Sequence, residues 1–205
     1  MKRLFLFGLA LLASATMAHA TITINLGGGN LYGTSTATLF PTGGLLQLIV
    51  SSTDNVFTAP VAGSYTGNSA DDVVLASFVL NNGLGSPGTF AQAIIITLTG
   101  NINPGDQILL RWFPTLTLAN TTPPAGAPFG QFRTDIIENF SDITWNLPND
   151  GSLVALNFLT MAQGGTRAEI EGVANMIVAV PEPSTVALVG LSVIGLAAYS
   201  RRRKV

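Results

Sequence analysis

The sequence predicts an all-β domain, folded as a single β-sandwich or in a jelly-roll-like arrangement of two sheets. Short runs rich in β-branched residues recur along the chain, and several of them alternate apolar and polar side chains as a half-buried strand does. Between these runs lie clusters of Gly, Pro and Asn, the residues that turns favour. Many short strands separated by such clusters are typical of sandwiches and related two-sheet folds.

Among the predicted strands, Thr21 to Leu26 is the clearest, because Ile22, Ile24 and Leu26 share one face. The predicted strands are residues 21–26, 45–50, 73–79, 94–99, 107–113 and 153–158. Gly27-Gly28-Gly29 follows the first strand and opens no helix, so we interpret it as a turn. Asp150-Gly151 lies between apolar runs and predicts a tight hairpin, because a primed turn needs positive φ at its centre.

Helix is sparse in this sequence. Residues 136–140 and 167–175 are predicted as short helices, and the Pro-rich residues 121–129 as a long surface loop. The body, residues 21–179, has a length that suits one domain rather than two. We see no cysteine in the chain, so packing alone has to stabilise this domain.

Residues 1–20 are organised like a secretory signal peptide. Lys2 and Arg3 precede an apolar stretch, and the segment closes on Ala18-His19-Ala20, an A-x-A cleavage pattern. The apolar stretch is shorter than the ~20 residues that a membrane-spanning helix needs. We therefore expect cleavage of this segment, export of the chain and a mature N-terminus at Thr21.

The body is strongly acidic, which the composition of the whole chain conceals. Three arginines and ten carboxylates lie within residues 21–179, so the body has a net charge of about −7, whereas the full chain has −2. Binding of nucleic acid depends on neutralisation of phosphates by basic side chains. We therefore expect no nucleic-acid partner for this domain.

The tail, residues 180–205, combines three parts in a fixed order. Val180-Pro181-Glu182-Pro183-Ser184 is kept extended by its prolines, an apolar segment follows over about residues 184–200, and a basic end closes the chain with Arg201, Arg202, Arg203 and Lys204. As a helix the apolar segment spans roughly 25 Å. The basic end is expected to stay on the cytoplasmic side of the inner membrane, leaving the body outside.

These three parts together resemble the PEP-CTERM sorting domain, and the resemblance covers only the tail. It implies that the chain is a substrate of an exosortase, a membrane protease of Gram-negative bacteria that make extracellular polysaccharide. It assigns Pro181, Glu182 and Pro183 to recognition and not to catalysis. It also implies anchoring in the inner membrane before processing, and the cell surface or the biofilm matrix afterwards. Residues 105–114 are similar to a stretch of uncharacterised PEP-CTERM ectodomains, which implies no activity.

The mature body lacks the side chains that most catalytic sites require. The single histidine, His19, leaves with the signal peptide, and cysteine is absent. This excludes Ser-His-Asp and Cys-His catalysis, and it removes the usual ligands of zinc, haem and iron–sulfur clusters. We therefore predict no cofactor, no metal and no catalytic residue.

Carboxylate chemistry remains an alternative. Asp135, Glu138 and Asp142 are spaced to share one face and could supply the two acids of a glycosidase, although a solvated acidic face is the favoured interpretation. Asp71 and Asp72 could contribute oxygen ligands to calcium, although a solvated strand edge is favoured there.

Four scarce side chains are candidate ligand contacts: Trp112, Trp145, Arg111 and Arg133. A sugar-binding groove uses stacked aromatic rings and a few polar groups of this kind. The favoured interpretation gives the tryptophans to the core and pairs each arginine with a carboxylate such as Asp106 or Asp135.

These observations predict a non-enzymatic protein of the cell surface or extracellular matrix, with a structural or adhesive role. The first alternative is a carbohydrate-binding module that retains extracellular polysaccharide through Trp112 or Trp145. A carboxylate glycosidase is the less favoured alternative.

Overall fold

The computed structural model describes residues 21–132, 145–149, 151–159 and 168–181, and within them the protein is nearly all β. The strands are β1 Thr21–Gly29, β2 Leu45–Ser51, β3 Asp72–Val79, β4 Phe90–Thr97, β5 Gln107–Phe113, β6 Pro128–Phe132, β7 Leu153–Leu159 and β8 Met176–Ile177. In this part of the chain the only helix is the 3₁₀ helix Glu169–Gly172. The all-β prediction is confirmed.

The strands form two sheets that share one hydrophobic core. The first sheet has the order β4-β1-β7, with β1 antiparallel to β4 and parallel to β7. The second has the order β3-β2-β5-β6-β8 and is antiparallel throughout. Phe158 of β7 meets Trp112 of β5 and Phe132 of β6, with ring centroids 6.2 and 4.4 Å apart. Two sheets joined by such contacts have the arrangement of a β-sandwich.

The five-stranded sheet is buried on both of its faces at β2 and β5. Leu46, Leu48 and Val50 of β2 enter the core between the sheets, while Leu45 and its outward neighbours are equally buried. A second cluster covers that outer face and contains Leu45, Phe113, Leu116, Ala127, Phe129 and Val178. In this second cluster, Leu116 and Ala127 come from the loop after β5 and Val178 comes from the C-terminal segment. This side of the sandwich therefore has an additional layer of chain.

The glycine cluster after the first predicted strand is part of that strand, so the turn prediction for Gly27-Gly28-Gly29 is wrong. Gly28 pairs with Phe90 of β4, and a Cβ on Gly28 would lie 2.2 Å from Cε1 of the Phe90 ring. The glycine therefore makes room for an aromatic ring, and its conformation is that of an ordinary strand.

Other boundaries also differ from the prediction. β4 begins at Phe90 rather than at residue 94, and neither β6 nor β8 is predicted. The turn before β7 does form, with Gly151 at φ +69° and the Ser152 N–H donating to the Asn149 carbonyl over 3.1 Å. It leads to no hairpin in the described part, because β7 pairs in parallel with β1.

Several predicted segments lie outside the described residues. These are the signal peptide at residues 1–20, the helix at residues 136–140 and the apolar span at about residues 184–200. The helix predicted at residues 167–175 is represented by the short 3₁₀ helix Glu169–Gly172.

Candidate functional site

Four polar side chains form a row across the outer face of the five-stranded sheet, and we call them the polar row. They are Ser77 of β3, Gln47 of β2, Arg111 of β5 and Gln131 of β6, neighbours in the strand register. The Gln47 Nε2 donates to Ser77 Oγ over 3.3 Å, and the Arg111 Nη2 donates to Gln131 Oε1 over 3.0 Å. Gln47 and Arg111 are 2% and 0% exposed, so the middle of the row is buried, whereas Gln131 is half-buried and Ser77 is exposed.

Arg111 connects the polar row to the loop between β2 and β3. Its guanidinium donates to the backbone carbonyls of Tyr65 and of Thr58, the latter over 2.9 Å, and lies 5.5 Å from the centroid of the Phe129 ring. Burial lowers the pKa of Arg111 to about 10, and the negative charge of Asp72 opposes this shift. The carboxylate whose charge acts on this arginine is thus Asp72, whereas pairing with Asp106 or Asp135 was expected.

Asp71 and Asp72 have different environments although they are adjacent. Asp72 is nearly buried and accepts a hydrogen bond from the Thr58 N–H over 2.8 Å, and its desolvation raises the pKa of the carboxyl group. At Asp71 a hydrogen bond from Ser69 Oγ, 2.8 Å long, is the main cause of a lowered pKa. Both carboxylates bind donors of their own loop. In the part of the chain that the structure describes, no group of three His, Cys, Asp or Glu residues could hold a metal ion.

An open groove of about 400 Å³ lies beside the polar row, and we call it the Gln47 groove. Its lining includes Gln47 and Ser77, the ring of Tyr65, and the apolar side chains of Leu45, Val74 and Leu118. The Tyr65 ring packs edge-on against Phe113 with centroids 5.2 Å apart, and its hydroxyl donates to the Asn120 carbonyl over 2.8 Å. Burial raises the pKa of Tyr65, so this phenol is neutral at physiological pH.

Both candidate tryptophans lie in the core between the sheets. Trp112 is 0% exposed and its ring lies over Gly130, where a Cβ would be 2.3 Å from the indole. Trp145 is 2% exposed and meets Phe132 edge-on at 5.0 Å. Both indoles lie where the favoured interpretation has them, and neither offers a face to a ligand, so the alternative of a ligand contact is not met. Arg111 is withdrawn from ligands in the same way.

The remaining candidate side chains of the body lie outside the described residues. These are Arg133 and the three carboxylates Asp135, Glu138 and Asp142. Their predicted roles stay predictions.

The C-terminal segment leaves the body at a defined residue. Val178 is buried. Its N–H donates to the Ala127 carbonyl over 2.9 Å, and its carbonyl accepts from the Gly126 N–H over 2.9 Å. Ala179 bonds to the β2–β3 loop, where the Ala62 N–H donates to its carbonyl over 2.8 Å. Val180 is 71% exposed, and Pro181 is exposed as well.

Most of the predicted sorting and anchoring residues lie beyond this point, outside the described residues. They are Glu182, Pro183, Arg201, Arg202, Arg203 and Lys204. Among the helices that the structure describes, none has the length and apolar character to cross a membrane.

Sequence reasoning identified Arg111 but missed Gln47, Ser77 and Tyr65. A signal for Gln47 was present, because it is the one polar residue in the predicted strand at residues 45–50. A polar side chain in a strand buried on both faces has to find a partner. Which partner it finds depends on the register with β3 and β5, which lie far along the chain.

Comparison with known families finds one match, to the PEP-CTERM protein-sorting motif, over residues 179–204. Comparison with curated proteins and with solved structures finds none. The matched region begins at Ala179, the residue whose backbone is still bonded to the body, so the sandwich and the motif adjoin without a linker. The tail therefore carries a PEP-CTERM protein-sorting motif, which implies an exported protein that is anchored in a membrane and then processed by an exosortase.

Proposed function

We propose that this protein is a non-enzymatic component of the cell surface or extracellular matrix of a Gram-negative bacterium, with a structural or adhesive role. The observation that carries the proposal is the buried position of Arg111 in the polar row. Arg111 is fully buried and is bonded to backbone carbonyls of the covering loop. In this position it stabilises the fold and presents no reactive group to a substrate.

The route of delivery is the second part of the proposal. The signal peptide at residues 1–20 exports the chain, and the helix at about residues 184–200 holds it in the inner membrane, with Arg201 to Lys204 on the cytoplasmic side. The exosortase then recognises Pro181-Glu182-Pro183 and releases the body to the surface or the matrix. Exposure of Val180 and Pro181 beside a firmly bonded Ala179 supports this, because an enzyme requires an accessible, extended peptide.

Substitution of the acidic residue in the motif tests this route. We expect Glu182→Ala to leave the full chain in the membrane fraction, because the recognition motif is broken while the sandwich is untouched. Val180→Ala is the matched control, since this exposed neighbour has no assigned role in recognition, and it should be processed normally. Fractionation and intact-mass measurement give the result. Release of Glu182→Ala at the wild-type level, or released wild-type protein that still ends at Val205, would contradict the proposal.

The two alternatives have less support. A carbohydrate-binding module built on Trp112 or Trp145 loses its stacking platforms, because both rings are in the core. The glycosidase alternative rests on Asp135, Glu138 and Asp142, and polysaccharide hydrolysis that is abolished by Asp135→Asn or Glu138→Gln would revive it.

A further inference from the structure

The Gln47 groove contains a polar atom whose hydrogen-bonding capacity the protein does not use. Gln47 is 2% exposed, and its Nε2 donates to Ser77 Oγ. Its Oε1 is buried and has no hydrogen-bond partner in the described part of the chain. Turning the amide over exchanges its two ends and leaves one of them unpaired in the same way. An unpaired buried group of this kind costs about 1–3 kcal/mol.

The neighbouring arginine has the complementary deficiency. Arg111 is the cross-strand partner of Gln47, and its buried Nε also lacks a hydrogen-bond partner among the described residues. Gln47 Oε1 requires a donor, whereas Arg111 Nε requires an acceptor. Arg111 does not line the groove, so a ligand there meets only the need of Gln47 Oε1, and a hydroxyl group supplies the donor that this atom requires. The chemistry of Gln47 therefore favours a hydroxyl-bearing ligand.

The rest of the groove sets the charge and shape of that ligand. Among the residues that the structure describes, no charged side chain lines it, although the body as a whole is acidic. Its apolar lining, Leu45, Val74 and Leu118, together with the Tyr65 ring, suits the C–H face of a sugar ring. Its volume of about 400 Å³ lies in the usual range for small-molecule sites. Because the groove is open, a ring within a longer chain can enter it.

We propose that the Gln47 groove binds a neutral sugar unit of a polysaccharide, with a sugar hydroxyl bonded to Gln47 and the ring packed on the apolar lining. This proposal names the class of ligand for the adhesive role proposed above, and it rests on that role. It replaces the tryptophan-based site, and it uses residues that sequence reasoning did not single out.

A second groove serves as the internal comparison. It has a volume of about 310 Å³, lies on the exposed face of the three-stranded sheet and is lined by Asn25, Gln92 and Asn157 among others. Of the amide side chains described in its lining, none has an atom that is both buried and unpaired. It therefore lacks the feature that points to a ligand, and Gln92→Leu is a matched control for Gln47→Leu.

Affinity electrophoresis of the detergent-solubilised full chain tests the proposal. The probes are dextran and galactomannan, which are neutral, and alginate, which is acidic. We expect a neutral polymer to retard the wild-type protein and alginate to leave it unaffected. Gln47→Leu should weaken the retardation by about tenfold or more, the effect of one lost hydrogen bond to a buried group. Gln92→Leu should migrate like the wild type.

The same variant separates binding from folding. Gln47→Leu removes a buried unpaired oxygen and breaks one hydrogen bond, to the exposed Ser77 Oγ, which water can replace, so the urea midpoint should be unchanged or higher. The proposal is overturned if neither neutral polymer retards the wild-type protein, or if alginate retards it equally. It is also overturned if only Gln92→Leu loses the retardation. Processing of the tail is measured separately with Glu182→Ala, so failure of sugar binding is distinguishable from failure of the proposed delivery.

Discussion

Arg111 explains how the β2–β3 loop is held on an otherwise apolar sheet. The loop presents backbone carbonyls to the sheet at Thr58 and Tyr65, and these need donors where water is excluded. A guanidinium has several N–H groups in one plane and can serve both carbonyls and Gln131 at once. The negative charge of Asp72 offsets part of the cost of burying this cation. A single side chain thus joins three segments of the chain.

This role predicts the effect of substituting Arg111. Arg111→Met removes the donors to the Thr58 and Tyr65 carbonyls, so we expect a loss in the free energy of unfolding of about 1–3 kcal/mol for each carbonyl left unpaired. Arg111→Lys keeps the charge but not the planar set of donors, and its loss should be intermediate. Urea denaturation followed by circular dichroism measures both. A Met variant as stable as the wild type would show that the loop is held by other contacts.

At the scale of the elements, the strands whose sequences were most regular were predicted best. β1 alternates polar and apolar residues, and β5 is a nearly continuous apolar run, so both began where expected. β6 was missed because Pro128 and Gly130 give its sequence the composition of a turn. Gly130 lies there because the Trp112 ring occupies the space of its side chain. A contact between distant strands decided that residue, and local pattern could not reveal it.

The candidate site was predictable only in part, for the same reason. Arg111 was conspicuous as a rare cation in an apolar strand, and Gln47 gave a similar but weaker signal. Their opposition across β2 and β5 depends on register, which is fixed by pairing between segments about sixty residues apart. Ser77 and Tyr65 enter the site only through that pairing and through the covering loop.

The packing of Phe90 over β1 predicts a strict requirement for glycine at position 28. Gly28→Ala would bring a methyl group within 2.2 Å of the Phe90 ring, and the ring is fully buried with little room to move. We expect a destabilisation of about 1–3 kcal/mol, the usual cost of overpacking a core. Gly33→Ala is the control, because the nearest atoms to its added Cβ are 3.5 Å away. Equal stability of the two variants, measured by thermal denaturation, would refute this account.

At the scale of the whole molecule, the proposed delivery route holds the body close to the membrane before processing. Ala179 is bonded to the body, and the predicted span begins near Ser184. The intervening residues cover at most about 15 Å when extended. On the proposed delivery route, the exosortase works in a short interval between the folded domain and the bilayer, and Val180 and Pro181 are exposed at the start of that interval.

The shared core predicts that the two sheets unfold together. Phe158 of the three-stranded sheet packs against Trp112 and Phe132 of the five-stranded sheet, so neither sheet keeps a buried inner face without the other. Trp112 and Trp145 are both in this core, and their fluorescence should shift to the red when it opens. We expect fluorescence and far-ultraviolet circular dichroism to change at the same urea concentration, in one cooperative transition.

A variant with a single tryptophan reports on one part of the core. Trp112→Phe leaves Trp145 as the only indole. The unfolding midpoint measured by Trp145 emission should coincide with the midpoint measured by circular dichroism. Both should lie at a somewhat lower urea concentration than in the wild type, because a smaller ring fills the site of Trp112. Trp145 lies against Phe132 near one side of the five-stranded sheet, where partial unfolding would be detected first. Two separated midpoints would mean that the sheets are independent units, since a common core requires the strands on both sides of it.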